Sequence, residues 1–315
     1  MAKSIHILKK LITHPLTRFG MAFILLYFVF RQTNLSELSQ KLSTANPVGV
    51  GIYLIGSLIM AWLAGWRWAT ILVPRSLKVS DHWLFFKATM LGLFYNLFLP
   101  SNMGGDVMKW TVLDELKLSK KLVILTMIID RVIGIFGLVT LGFGSLVVGH
   151  LTQLVTVPIL MWQIMSVAFI GVIGFLILIS TDWRWRQIPV LNRFNWIATA
   201  EAYLEKHRVK FWQAFGLAIM VQLVGVIIIY ALGQAVGFKL NFWQFLVIEP
   251  ILGTIVSLPL NFAGFGATEV GFVYFFGLFG EPSTTVLALT SLMGVMRIVM
   301  GGIGWLIGLV EKQRM

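Results

Sequence analysis

Seven ionisable side chains interrupt stretches that are otherwise apolar: the acids Asp106, Asp130, Glu249 and Glu269 and the bases Lys87, Arg131 and Arg297. At the centre of a membrane helix each would cost roughly 2.5–3.5 kcal/mol, so each is expected to face the protein interior and find a partner there. Arg131 and Arg297, with Lys109 nearby, can hold a phosphate or another anion. The four carboxylates can pair a cationic group, exchange protons or lock one of the bases in place. For any single residue a packing ion pair is an equal alternative, but the set as a whole points to a site.

A near-repeat frames these charges. Leu99-Pro100-Ser101-Asn102-Met103-Gly104-Gly105 is echoed by Leu258-Pro259-Leu260-Asn261-Phe262-Ala263-Gly264, with Leu, Pro, Asn and the second Gly displaced by the same 159 positions. Pro followed by clustered Gly, continued here by Gly266, deprives a membrane segment of helical hydrogen bonds. Such breaks survive at bilayer depth only where the backbone is buried in protein or lines a wet cavity. Paired breaks in corresponding halves point to a transporter's binding site, with Asn96, Asn102 and Asn261 as hydrogen-bonding groups. Two ordinary Pro-Gly turns are the plainer alternative, and the acids that follow both breaks weigh against it.

The elements that must position these residues are helices in a bilayer. With 58% hydrophobic and 12% charged residues over 315 positions, the chain reads as an all-α polytopic membrane protein. Six full spans are expected at about 16–33, 48–69, 121–149, 157–179, 211–236 and 284–310. The regions 83–118 and 242–280 each hold two shorter apolar pieces around a break, which suits re-entrant hairpins. If the N-terminus is cytoplasmic, nineteen of the 25 Lys and Arg fall in 1–18, 67–82, 109–121, 181–210 and 311–315, all on the cytoplasmic side. Only Arg31, Lys41 and Lys239 face outward, as the positive-inside bias requires. Both termini are then cytoplasmic, and the loops 31–47, 150–156 and 237–241 external. This topology makes residues 1–150 and 151–315 two halves of an inverted repeat within one transmembrane domain, its hairpins oppositely oriented.

Other classes find little to carry them. The chain has no Cys, and His6, His14, His82, His150 and His207 are scattered, so no metal site and no cofactor are expected. There is no Walker A sequence, nucleophile elbow or His-Glu-x-x-His, and with only short polar loops no separate catalytic domain is expected. The net charge of +12 sits in alternate loops, which argues against nucleic acid. The stretch 181–210, with Trp183-Arg184-Trp185-Arg186, reads as an interfacial connector on the anionic leaflet, and Trp66-Arg67-Trp68 as a similar anchor. Gly233/Gly237 and Gly304/Gly308 read as close-packing pairs, within the chain or between copies.

Taken together, Asn96 to Asp106 with Lys109, then Asp130-Arg131 with Gly134, then Ser257-Leu258-Pro259 with Gly264-Phe265-Gly266 and Glu269, resemble the lysylphosphatidylglycerol synthase transmembrane region family. Lys109 stands where Arg is expected, which leaves a less bidentate phosphate contact. The resemblance implies a flippase-like translocator of an (aminoacyl-)phospholipid or related anionic lipid, located in the inner (plasma) membrane. The alternative is a non-catalytic membrane partner of a separate lipid-modifying synthase or glycosyltransferase. Expected partners are membrane lipids, with a second copy of the chain or such an enzyme as further possibilities.

Overall fold

The structure is a computed structural model that describes residues 35–73, 75–97, 105, 109, 118–180, 203, 204, 206–257 and 267–312. Among them are nine helices: α1 (Leu35–Ser43), α2 (Pro47–Leu72), α3 (Val79–Asn96), α4 (Lys120–Leu151), α5 (Ile159–Ser180), α6 (Arg208–Ala235), α7 (Phe242–Ser257), α8 (Ala267–Gly277) and α9 (Ser283–Lys312). Five carry stretches long and apolar enough to cross a membrane: Pro47–Leu72, Lys120–Leu151, Ile159–Ile177, Arg208–Ala235 and Ser283–Leu309. They coincide with five of the six expected spans. The sixth, 16–33, lies outside the described residues, as does most of the 181–210 connector.

Local sequence sets the helix starts. Asn46 caps α2 by accepting from Val48 N–H at 2.9 Å, with Pro47 in the first turn, where its missing N–H costs nothing. Ser119 caps α4 by accepting from Leu122 N–H at 3.3 Å. Arg75 and Asp81 close the entrance to α3: the Asp81 carboxylate accepts from Arg75 at 2.7 and 2.8 Å and from Lys78 N–H at 2.7 Å. That guanidinium holds the Asp81 carboxyl below the usual carboxylate range.

Side-chain contacts give the helix directions. On α2, Gly49, Gly56 and Ile71 meet Ala231, Ile228 and Tyr203, so α2 and α6 run antiparallel along their length. α3 runs antiparallel to α9, with Leu97, Met90 and Leu91 against Gly301, Gly304 and Gly308. α7 is antiparallel to α4 in the same way: Leu246 meets Ser145, Pro250 meets Gly142 and Gly253 meets Leu138. A Cβ at Gly304 would lie 2.2 Å from the Met90 carbonyl oxygen, so only glycine admits this approach. Gly304 and Gly308 thus pack within the chain.

Gly237 does something else. Its φ of +86° and the Phe238 N–H bond to Gly233 O at 3.0 Å end α6 in a Schellman motif. Gly237 is therefore a helix stop, whereas Gly233 is a close-packing position: a Cβ there would lie 2.6 Å from the Phe245 ring on α7.

The loops gather at two ends. At one, Lys210 Nζ donates to Val73 O and Tyr203 packs over the end of α2. At the other, Asn46 N–H donates to Ala235 O, Thr284 Oγ1 donates to Glu37, and Glu281 accepts from Lys239 and Leu240 N–H. This second end contains α1, a short helix that the 31–47 loop assignment did not foresee. Leu38 buries its inner face against the bundle while Leu35 stays exposed.

α7 carries an internal proline, Pro250. Pro250 has no N–H, so the Leu246 carbonyl four residues earlier loses its helical donor. Ser145 Oγ on α4 shares its proton between this carbonyl at 3.0 Å and Gly142 O in its own helix at 2.7 Å, and Gly142 leaves room for the proline ring. Around this point Leu232, Phe238, Phe245, Ile248 and Phe276 form the main buried core. In a bilayer such a core is held by close van der Waals contact rather than by water exclusion.

Candidate functional site

A buried charged contact joins α2 to α4. Arg67 Nε and Nη2 donate to Asp130 Oδ1 and Oδ2 at 2.7 and 2.9 Å, with the guanidinium lying over Gly134. Trp68, 3% exposed, donates from its indole to Thr126. The expected interfacial anchor at Trp66-Arg67-Trp68 is corrected accordingly: Arg67 and Trp68 are buried, and only Trp66 lies partly open. An Arg beside two Trp at a span end resembles an aromatic belt, and only the fold reveals its carboxylate partner on another helix. Arg131, next in sequence, turns to the exposed side of α4.

The first break is approached along α3. Gly105 N–H donates to Asn96 Oδ1 at 2.8 Å, and the Lys109 side chain lies against Gly92. As the chain advances from 105 to 109 it passes back from Asn96 to Gly92, so it reverses upon α3. A Cβ at Gly105 would stand 2.2 Å from Gly92 O and 2.5 Å from Asn96 Oδ1, so the reversal requires glycine there. Lys109 Nζ rests 5.9 Å from the Trp68 ring centroid, a cation–π contact beside the Arg67–Asp130 pair. Asn96, Gly105, Lys109 and Asp130 are thereby drawn into one region. Pro100, Asn102, Gly104 and Asp106 lie outside the described residues.

The second break shows the same reversal on its flanks. Gly271 meets Leu252, and Phe276 lies tilted against Phe245 with ring centroids 5.0 Å apart, so α8 folds back on α7. Glu269 is buried in the first turn of α8, where the helix dipole favours a carboxylate. Pro259, Asn261, Gly264 and Gly266 lie outside the described residues. Glu249, one residue before Pro250, holds its Oε2 buried with no hydrogen-bond partner.

Tyr53 on α2 lies within electrostatic reach of both Glu249 and Arg297, and its hydroxyl is hydrogen-bonded to Ser57. The structure thus joins Glu249 and Arg297 through a tyrosine that sequence reading passed over, because a Tyr in an apolar span carries no signal by itself. Glu281 was also missed. Its Oε1 accepts from Lys239 and Leu240 N–H while its Oε2 is buried without a partner, which marks a structural staple between loops. Among the described residues no group of three or more His, Cys, Asp or Glu side chains is placed to hold a metal ion.

Two regions therefore collect the chemistry-bearing groups, one around Arg67, Asp130, Asn96, Gly105 and Lys109, the other around Tyr53, Ser57, Glu249 and Arg297. Each lies beside a chain reversal and draws on three helices or more. No curated protein matches the chain. The profile of the family described as "Lysylphosphatidylglycerol synthase TM region" matches residues 13–304, a range that includes both regions and both breaks. With nearly its whole length matched, the chain belongs to the lysylphosphatidylglycerol synthase transmembrane-region family.

Proposed function

We propose that this protein moves a phospholipid, an aminoacyl-phospholipid or related anionic lipid, between bilayer leaflets. The observation that carries the reading is the exchange of partners between two reversing elements: α3 packs on α9 and α7 packs on α4. Helices starting at 47, 79 and 120 have counterparts starting at 208, 242 and 283, displaced by 161, 163 and 163 positions. The corresponding helices α2 and α6 run antiparallel, as an inverted repeat requires. On this reading the reversals are re-entrant hairpins entering from opposite leaflets, and their broken tips meet in a hydrated cavity.

The head group occupies that cavity while the acyl chains stay in the bilayer. Lys109, Arg131 or Arg297 holds the phosphate, and Asp106 and Glu269 approach from opposite hairpins to pair a cationic group, carry a proton or fix a base. On this reading the protein sits in the cell inner (plasma) membrane with both termini cytoplasmic, and the chain acts as a transporter rather than an enzyme.

Purified protein in proteoliposomes tests this. Fluorescent phosphatidylglycerol in the inner leaflet becomes accessible to an external quencher faster than in empty vesicles. Asp106→Asn and Glu269→Gln, which keep shape and remove charge, slow that exposure at least tenfold. Lipid exposure no faster than in protein-free vesicles, under any ion gradient, would refute translocation.

A further inference from the structure

Among the described residues, enclosed acids differ in the donors they are given. Asp130 accepts from two guanidinium nitrogens of Arg67, and Asp81 accepts from Arg75 and from Lys78 N–H. Glu281 accepts from Lys239 and Leu240 N–H at 2.6 and 3.1 Å. Glu269 stands in the first turn of α8, where unpaired helix N–H groups and the dipole face it. Glu249 has no such provision: its Oε2 is buried and no donor reaches it.

The surroundings of Glu249 hold little that compensates a charge. Along α7 its neighbours Val247, Ile248, Ile251 and Leu252 are core side chains, none more than 2% exposed. Between 138 and 145, the stretch of α4 lying against α7, there is no titratable side chain, and α5 has none. α6 presents Tyr230, whose ring meets Phe242 and Phe245, and α8 brings Glu269, two positions before the Gly271 that meets Leu252. From α2 comes Tyr53, hydrogen-bonded to Ser57, and Arg297 of α9 lies within electrostatic reach of the same tyrosine. None of these groups donates to Glu249 Oε2. An ionised carboxylate so placed is strongly disfavoured, whereas the neutral acid is tolerated.

The place of this acid along the helix gives its protonation a mechanical consequence. Pro250 follows directly and leaves the Leu246 carbonyl, one turn back, without its helical donor. A change of charge at Glu249 therefore acts on α7 where its hydrogen bonding is already interrupted, the kind of point at which helices kink.

We propose that Glu249 is a proton-binding site, neutral in this arrangement, and that its deprotonation draws this part of α7 toward water. Uptake adds one proton to Oε2 and changes no other bond. Release returns the proton to water and leaves a carboxylate that must be hydrated or paired. The coupling rests on the translocation reading, but the site does not. Within that reading each lipid movement is tied to a proton, and a pH difference across the membrane drives it.

The site is tested by infrared spectroscopy of the intact protein in a hydrated lipid film at neutral pH. Wild type is expected to show the carbonyl band of a protonated carboxylic acid, which Glu249→Gln removes, Glu249→Asp shifts and Glu281→Gln leaves in place. Where Glu249→Gln fails to fold, the shift with Glu249→Asp makes the same assignment. Coupling is tested in proteoliposomes carrying fluorescent phosphatidylglycerol, with the membrane potential clamped. A gradient of about one pH unit biases a one-proton step about tenfold, so imposing it should move the steady leaflet ratio of the probe by up to that factor. In Glu249→Gln the ratio should ignore the gradient. No acid band in wild type, or one that survives both Glu249 substitutions unchanged, overturns the proton site. A leaflet ratio indifferent to the gradient in wild type, or still responsive in Glu249→Gln, overturns the coupling. If the probe moves no faster than in protein-free vesicles, translocation falls, and the infrared band alone decides the proton site.

Discussion

Arg67 and Asp130, 63 positions apart, meet in a two-pronged contact in which each carboxylate oxygen accepts from a different guanidinium nitrogen at 2.7 and 2.9 Å. Both side chains are mostly enclosed, at 10% and 18% exposure, so the pair ties α2 to α4 where neither charge can retreat to water.

Breaking one side of such a pair leaves an uncompensated charge, which typically costs about 3–5 kcal/mol, whereas replacing both partners with apolar residues is close to neutral. Arg67→Met and Asp130→Leu are each expected to lower the unfolding midpoint in detergent sharply, and the double variant to recover most of the loss. Equal or additive losses would show that the pair is not a coupled unit.

The Ser145 hydroxyl serves a carbonyl that Pro250 has orphaned. Ser145→Ala should therefore cost about 1–3 kcal/mol, the usual penalty for an unsatisfied buried acceptor. In a Pro250→Ala background the helix regains its own donor for Leu246, and the same serine change should become nearly silent. A double-mutant cycle by thermal unfolding reads this coupling directly.

Gly105 should tolerate no side chain. Its Cβ would run into Gly92 O and Asn96 Oδ1, so Gly105→Ala must push the returning chain off α3. Lipid exposure in proteoliposomes should fall at least tenfold while expression falls less. Asn96→Ala, which removes only the acceptor for Gly105 N–H, should give a smaller loss in the same assay. Normal exposure with a folded Gly105→Ala protein would detach this reversal from transport.

At the start of α3, the Asp81 carboxyl is held below its ordinary range by Arg75. A depressed folded-state pKa adds stability that is fully present above the unfolded value near 3.9 and is lost as pH falls through the lower folded value. Wild-type protein should thus lose stability more steeply than Asp81→Asn below about pH 4. Thermal midpoints of the two proteins measured across that range check the sign; parallel curves would contradict it.

The Lys/Arg bias carries an expectation of orientation that can be checked. A cysteine at Thr152, in this Cys-free chain, should react with an impermeant maleimide only from outside, and one at Ser76 only from the cytoplasm. Reactivity of both from one side would contradict opposite loop ends.

The amino-acid order alone determined the solvent, the spans and the places where helices break. Apolar runs of spanning length, Pro and Gly punctuation and the Lys/Arg bias are local properties, and five spans and both reversing regions follow from them. The family resemblance, too, was legible in contiguous motifs. Partner choice was not local. Arg67 looked like an anchor because its neighbours are Trp, and only the packing of α2 on α4 supplies Asp130. Gly237 looked like a packing residue because spacing does not report φ, whereas the end of α6 demands a left-handed residue there. Tyr53 acquired meaning only once α2, α7 and α9 converged around it, because a site assembled from three helices is held by contacts whose sequence separations leave no periodic trace.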